Sequence, residues 1–518
     1  MAATASSLAS ISADLKQRYL DPNVIQNAMI DYGPMTAKLL SEAATDIDGG
    51  VTPFMLIISG GGGFSSSPTA AAFSSTPAAS VAFAMTRGTT YAQILLGGEA
   101  MKASEKERGA FIDDLTLEIE TKKKRVKEYI AALCYSDGTG AMAQVGSIST
   151  ATSGATQGVV TLADPALAAK FQVNDCLNCG MGTTGAGAQS PALTNWVLSG
   201  VLTTTNANGT SDSGTGAALT YAQVAYVIAV NVQAGTITLS KTQGGAAATL
   251  GVTGATGVFY GSGTSGSIAA GSFLFFHGDA ALLNSATAAT NQAVPSNTGG
   301  LGPAIVNGWL AWCPPGGPVD TGTTGTTGSF YAVNRNNNSQ LYGQVVDATA
   351  AGLNLGTIRA ALTNQVAQLR QVSSKPKRTY LHPIAYYKLS LELQSQGMIP
   401  GAKGQGPSAE GSFGFSSMVL PTEAGDIEVI ADPQAMPCLT NVTYAPTSTG
   451  YSGVMMSFMQ DDNWEVISLG DVPYIDEEDG NFFRLVQPLN DTYLIFMKAY
   501  WALGTHRPNG SSVCFLPQ

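Results

Sequence analysis

Ser104 to Tyr135 is the stretch that most limits what this chain can become. Only 12% of its residues are charged, yet charges crowd here: Glu105, Lys106, Glu107, Arg108, Asp113, Asp114, Glu118, Glu120, Lys122, Lys123, Lys124, Arg125, Lys127 and Glu128. Phe111, Leu115, Ile119, Val126, Tyr129, Ile130 and Leu133 lie between them at spacings of three, four and seven, which predicts one apolar stripe on a long helix. At ~1.5 Å per residue, about thirty residues span roughly 45 Å. Ser104 with Glu107 matches a capping box. Acids lead and bases follow, as the helix dipole favours, with Glu118–Lys122 and Glu120–Lys124 in the favourable i,i+4 order. Gly109 is a weak point of about 1 kcal/mol against Ala. Asp137-Gly138-Thr139-Gly140 supplies turn chemistry to stop the helix.

The 518 residues carry a net charge of −11, which argues against a general nucleic-acid binder but allows one DNA-facing surface. No stretch reaches the roughly twenty apolar residues of a membrane span, so no membrane partner is expected. Met1–Ser12 lacks the features of a secretory signal. Six cysteines in 518 residues do not form a disulfide framework, and synthesis in a reducing cytoplasm is expected.

Ahead of the helix, residues 1–50 read as an arm with short apolar patches (Ile11, Leu15, Tyr19, Leu20; Met35, Leu39, Leu40) and no core of their own. Thr52–Ile58 and Val81–Leu96 read as two extended segments joined by Gly60–Gly63 and a Ser/Ala/Pro-rich run, hence a long hairpin with a flexible tip. An isolated hairpin is marginal in water, so it calls for a partner surface. Behind the helix, residues 141 to about 300 are Gly/Thr/Ala-rich with short apolar runs, which predicts β structure with inserted lobes; the polar stretch Thr183–Gly216 is expected to be partly disordered. Helices are expected over Leu353–Arg370 and Ile384–Gln396, and strands over Arg378–His382, Asp426–Ala431, Val454–Phe458, Trp464–Leu469 and Tyr493–Leu503. Together these make an α/β lobe and a returning strand.

Candidate chemical sites are sparse. Cys176-Leu177-Asn178-Cys179 is a lone C-x-x-C without the other ligands a metal needs, and a redox role would require a helix start after a strand. Small buried cysteines are the simpler reading. His277, His382 and His506 are far apart in sequence, and there is no G-x-S-x-G or H-E-x-x-H motif. Gly60–Gly63 lacks the Lys-Ser/Thr of a phosphate loop. Asp476-Glu477-Glu478-Asp479-Gly480 lacks EF-hand spacing and reads as a solvated turn. The Asn441 sequon has no meaning without secretion. No catalytic residue, cofactor or metal is assigned, and an enzyme is not expected.

The order of parts resembles the major capsid proteins of tailed bacteriophages, the Hong Kong ninety-seven phage capsid fold that encapsulins share. The residues that carry this are Gly109-Ala110-Phe111-Ile112-Asp113-Asp114 at the helix start, Leu133-Cys134-Tyr135-Ser136-Asp137-Gly138-Thr139-Gly140 at its end, Thr379-Tyr380-Leu381-His382-Pro383 with the helix after it, and Tyr493 onward with Gly504. The resemblance implies an α+β fold with an N-terminal arm at 1–50 and an extended hairpin loop at 51–101. It implies a peripheral domain at 102–345, with a spine helix at 104–135 and a β-rich insertion at about 150–300. An axial domain at 346–480 and returning peripheral strands at 481–518 complete it. It implies self-assembly into hexamers, pentamers and an icosahedral shell around double-stranded DNA. The expected location is the virion capsid, with assembly in the host bacterial cytoplasm alongside scaffolding, portal and decoration proteins. With no lysine between Lys38 and Lys102, the loop cannot supply the covalent cross-link of some family members, so non-covalent ties are expected. Met1 is followed by only a short polar tail, so a separate scaffolding protein is expected.

Arg87, Glu99 and Lys102 are candidate inter-subunit contacts. Lys122, Lys123, Lys124, Arg125 and Lys127 are candidate DNA-facing residues, since a basic cluster attracts phosphate; dipole complement and intrahelical pairs are the plainer alternative. An encapsulin-like compartment remains open as a second reading, and an extracellular fibre or adhesin as a third.

Overall fold

The computed structural model describes residues 33–41, 51–97, 108–138, 140–148, 158–182, 196–199, 225–240, 273–276, 306–314, 317–318, 330–336, 338–348, 357–395, 417–438, 455–475, 484–487 and 490–516. The fold mixes helices and sheets, and the chain forms two contact units. One comprises residues 1–48, 87–131 and 466–502, the other 49–86, 132–465 and 503–518.

A long strand, Asn490–Thr505, belongs to the first unit up to Ala502 and organises a five-stranded sheet. Gly88–Gly97 runs antiparallel to it in unbroken register from Thr492↔Gly97 to Trp501↔Gly88. Alternation along the strands turns Ile94, Ile495 and Met497 to one face, where they are buried. Ile119, one residue of the predicted apolar stripe, packs onto that cluster with Ala92, Ile475 and Tyr493. The helix is described from Arg108 to Tyr135, 28 residues. The capping pair Ser104 and Glu107 lies outside the described residues.

In the second unit the helix ends as its sequence predicts. Ser136 N–H donates back to Leu133 O at 3.0 Å, and Gly138 and Gly140 take φ of 85° and 76°, a region open to glycine without steric cost. The turn leads into a small barrel. Its strands are Ala141–Ile148, Val159–Leu162, Cys176–Gly182, Ala225–Asn231, Thr236–Ser240 and Phe273–Phe276, all antiparallel. The last of these pairs with both Ala141–Ile148 and Cys176–Gly182 and closes the ring; Trp196–Ser199 extends it as a seventh strand. Closure removes exposed strand edges. The interior is Val145, Val160, Leu177, Val227, Ile237, Leu239 and Leu274, all buried. The Gly/Thr/Ala-rich composition reflects this tight β lobe, while Thr183–Gly216 lies outside the described residues except for Trp196–Ser199.

A six-stranded sheet forms the α/β lobe, in the order Gln344–Asp347, Ser512–Phe515, Met455–Met459, Arg378–Leu381, Gly425–Ala431, Ser417–Thr422. Helices Ile358–Gln371 and Pro383–Ser395 pack on one face through Leu362, Val366, Leu369, Leu389 and Leu393 against Leu381, Val429, Met456 and Phe458. Thr357 caps the first helix through Oγ1 to Ala360 N–H at 3.2 Å. Glu392 of the second helix accepts from Ile358 and Arg359 N–H at 3.0 and 3.2 Å, so a carboxylate sits at the positive end of its neighbour's dipole.

Tyr135, the last residue of the long helix, is fully buried and donates its hydroxyl to Asp432 Oδ2 at 2.9 Å. Asp432 Oδ1 accepts from Gln434 N–H at 2.9 Å. Burial first, then the charge of Asp432, raises the Tyr135 pKa well above its usual 10.0. This contribution to stability is therefore complete below pH 10 and declines as pH rises further, because the unfolded chain releases the proton first. Tyr135→Phe should cost about 1–3 kcal/mol near neutral pH by leaving a buried carboxylate oxygen short of a donor. The variant should also lose less stability than the wild type above pH 10; thermal unfolding of both proteins across pH measures each effect.

Candidate assembly surface

The hairpin is a regular antiparallel ribbon, Val51–Ser59 paired with Ala79–Thr86. At ~3.3 Å per residue, nine residues make it roughly 30 Å long. Its base is embedded. Phe54, Phe83 and Met85 are buried, and Phe83 meets Trp312 and Phe330 edge-on at centroid distances of 5.1 and 6.3 Å. Ala84 N–H donates to Tyr331 O at 2.9 Å.

The outer part is bare. Met55 and Ile57 share a face with their partners Ala82 and Ser80, and are 72% and 71% exposed. The tip is ordered rather than the flexible link that its Gly/Ser/Ala composition suggests. Gly62 N–H donates to Thr76 O and Oγ1 at 3.2 and 2.7 Å. A short helix, Pro68–Phe73, starts at a proline and is closed by Ser74 N–H donating to Ala70 O at 3.1 Å. Gly61 has φ of 85°, and a Cβ there would collide with Thr76 O, so the glycine run buys close backbone approach rather than looseness. Phe64, 88% exposed, projects from this tip. No charged residue occurs between Asp48 and Arg87.

The remaining sequence candidates are spread out. Arg87 begins the strand region after the hairpin and is half-buried, while Glu99 and Lys102 lie outside the described residues. On the long helix Lys122 and Lys123 are exposed, and Lys124, Arg125 and Lys127 are half-buried. Arg125 is held by Glu128 at 2.7 Å, so it is partly committed to its own helix.

The chemical candidates do not converge. Cys176 and Cys179 share one strand, not the helix start that redox chemistry needs, and burial pushes the Cys176 thiol up to about 11. Among the described residues no cluster of His, Cys, Asp and Glu could hold a metal ion. His382 follows the strand Arg378–Leu381 and is half-buried, and burial followed by the charge of Lys170 lowers its pKa to about 4. His506 pairs with Glu465 at 3.1 Å and meets Phe54 edge-on at 4.4 Å, which makes it a prop for the hairpin base. His277, Asn441 and Asp476–Asp479 lie outside the described residues. No helix among the described residues is long and apolar enough to cross a membrane.

No protein-family model and no curated protein matches the chain. Among solved structures it is similar to the capsid asymmetric unit of cyanophage A-1(L), at 9% identity over 95% of both chains with a TM-score of 0.47. A structure from Mycobacterium phage Ogopogo is similar at 10% identity over 95% of this chain and 94% of that one, with a TM-score of 0.34. The SrpI encapsulin of Synechococcus elongatus PCC 7942 is similar at 10% identity over 40% of this chain and 55% of that one, with a TM-score of 0.22.

Sequence reasoning located the hairpin but missed its ordered tip, its prop at His506 and the Phe64 projection. Gly504 illustrates the packing at the base: a Cβ there would stand 2.5 Å from Phe54 Cε2. Gly504→Ala should therefore displace the hairpin base and lower stability by about 1–3 kcal/mol, as overpacked sites do. Denaturant unfolding reads the loss, and Gly504→Ala combined with Phe54→Leu should recover part of it.

Proposed function

We propose that this protein is a structural capsid subunit that assembles with copies of itself into an icosahedral shell of hexamers and pentamers around double-stranded DNA. The observation that carries the reading is the hairpin. It is anchored at its base by buried aromatics, ordered to its tip, uncharged throughout, and covered outside with exposed Met55, Ile57 and Phe64. Exposed apolar surface of this kind marks a contact site, and obligate interfaces bury ~2,000 Å² or more.

A second copy fits this surface on electrostatic grounds. Each chain carries a net charge of −11, so copies repel through most of their surface, and a charge-free projection is the part that approaches a neighbour without like-charge cost. In this reading residues 1–50 are an arm, 51–101 the tie, 102–345 and 481–518 the peripheral domain and 346–480 the axial domain. Arg87, Glu99 and Lys102 lie at subunit contacts. The subunit acts by assembly and not by catalysis. Scaffolding, portal and decoration proteins are its further partners, and it resides in the virion after assembly in the bacterial cytoplasm.

Electron microscopy of the purified protein tests the proposal. Closed shells with hexameric lattices are the expected result; a chain that stays monomeric at high concentration would sink it. Phe64→Ser with Ile57→Ser should leave the folded subunit intact by circular dichroism yet reduce shell yield, and undiminished shells would remove the hairpin from its role as a tie.

The exposed lysines of the long helix form the second element. We propose that the basic cluster Lys122, Lys123, Lys124, Arg125 and Lys127 meets phosphate, with Lys122 and Lys123 the most available. Lys122→Glu with Lys123→Glu should preserve empty shells while lowering the nucleic acid packaged per shell, read from the absorbance ratio of purified particles. Unchanged packaging would reduce the cluster to a solvated helix face.

A further inference from the structure

The first unit's sheet carries a tyrosine pair that the shell reading does not use. One face of the sheet holds Ile94, Ile495 and Met497 under the long helix. Alternation sends Tyr91 and Tyr500 to the opposite face. Tyr91 is paired with Lys498 in the ladder, so Tyr500 is its diagonal cross-strand neighbour, within reach of a long side chain. The two hydroxyls are 3.3 Å apart, and the rings meet edge to face with centroids 6.2 Å apart. Tyr474 lies beside Tyr500 at 6.3 Å. Tyr91 is 55% exposed, which leaves one phenol open to an oxidant while the other is held against it. The hydrogen bond to Tyr500, then burial, raises the Tyr91 pKa, so Tyr91 is a neutral phenol at neutral pH.

The geometry points to Tyr91 and Tyr500 as a site of oxidative cross-linking, where a dityrosine bond staples the strand after the hairpin to the returning C-terminal strand. Each phenol loses one electron and its hydroxyl proton to a peroxidase-type oxidant and becomes a phenoxyl radical. The radicals join through ring carbons ortho to oxygen, forming one carbon–carbon bond, and proton shifts restore both phenols. The pair loses two hydrogen atoms, and one hydrogen peroxide is reduced to two waters. The staple joins residues 409 positions apart in sequence, and cross-links that close long loops restrict the unfolded chain most.

The test uses the full-length protein treated with a peroxidase and hydrogen peroxide, followed by dityrosine fluorescence and peptide mass spectrometry. The chain has 18 tyrosines, so selectivity is what is tested. The expected product is an intrachain cross-link between the peptides of Tyr91 and Tyr500, two hydrogens lighter than their sum, with a raised thermal midpoint. Tyr91→Phe and Tyr500→Phe should each abolish that product, while Tyr474→Phe keeps it. No intrachain dityrosine, coupling mapped to other tyrosines, or a product that survives in either single variant overturns the proposal. Peptide mapping of the unaltered protein decides even if a variant fails to fold, and the result is independent of whether the chain forms shells.

Discussion

Burial of Trp312 is the constraint on which most of the second unit depends. Its indole N–H donates to Leu503 O at 3.0 Å, fixing the returning strand. Its ring packs edge-on against Phe83 of the hairpin and Phe330, at 5.1 and 4.9 Å. Arg335, fully buried, lies 3.7 Å from the Phe330 ring centre and donates to Ala311 O at 2.9 Å. A buried guanidinium is tolerable only with such partners. One turn away, Trp309 stacks on Trp464 at 4.1 Å, and Trp464 N–H donates to Ser511 Oγ at 2.6 Å. Four segments distant in sequence thus meet around a four-residue helical turn, Trp309–Trp312.

This anchoring gives the hairpin its character. A two-stranded ribbon alone is marginal, and here only its base finds a core within the same chain. The outer length keeps Met55, Ile57 and Phe64 in solvent, a standing cost that a partner surface would remove. The glycine-led tip adds order where a loose loop would have to be immobilised on contact, so binding would carry less entropic cost. The long helix has the complementary design: charged outward at Lys122 and Lys123, apolar inward at Ile119, and closed at its end by Tyr135 on Asp432.

Much of the architecture was legible because period and punctuation are local. The long helix, the hairpin strands, the helices of the α/β lobe and the strands near Arg378, Asp426 and Tyr493 follow from apolar spacing and turn residues, with ends displaced by a few positions. Closure of the barrel was not legible, since it depends on Phe273–Phe276 meeting two strands at once. The Gly60–Ser80 run misled because Gly, Ser and Ala signal looseness by composition, while Gly61 and Gly62 actually let the backbone close onto Thr76. Of the candidate site, the sequence pointed to the hairpin and the basic cluster, but Phe64 looks like any other phenylalanine until its exposure is known.

By itself the sequence determined the element types, the absence of charge from the hairpin, and the concentration of charge on one helix, because these are properties of neighbouring residues. The tertiary structure decided which aromatics became anchors and which stayed bare, where the helix end was pinned, and that Tyr91 meets Tyr500. Those outcomes depend on contacts between residues hundreds of positions apart, such as Trp312 with Leu503 and Tyr135 with Asp432. No local pattern encodes such contacts; they arise only when burial forces distant side chains to share one interior.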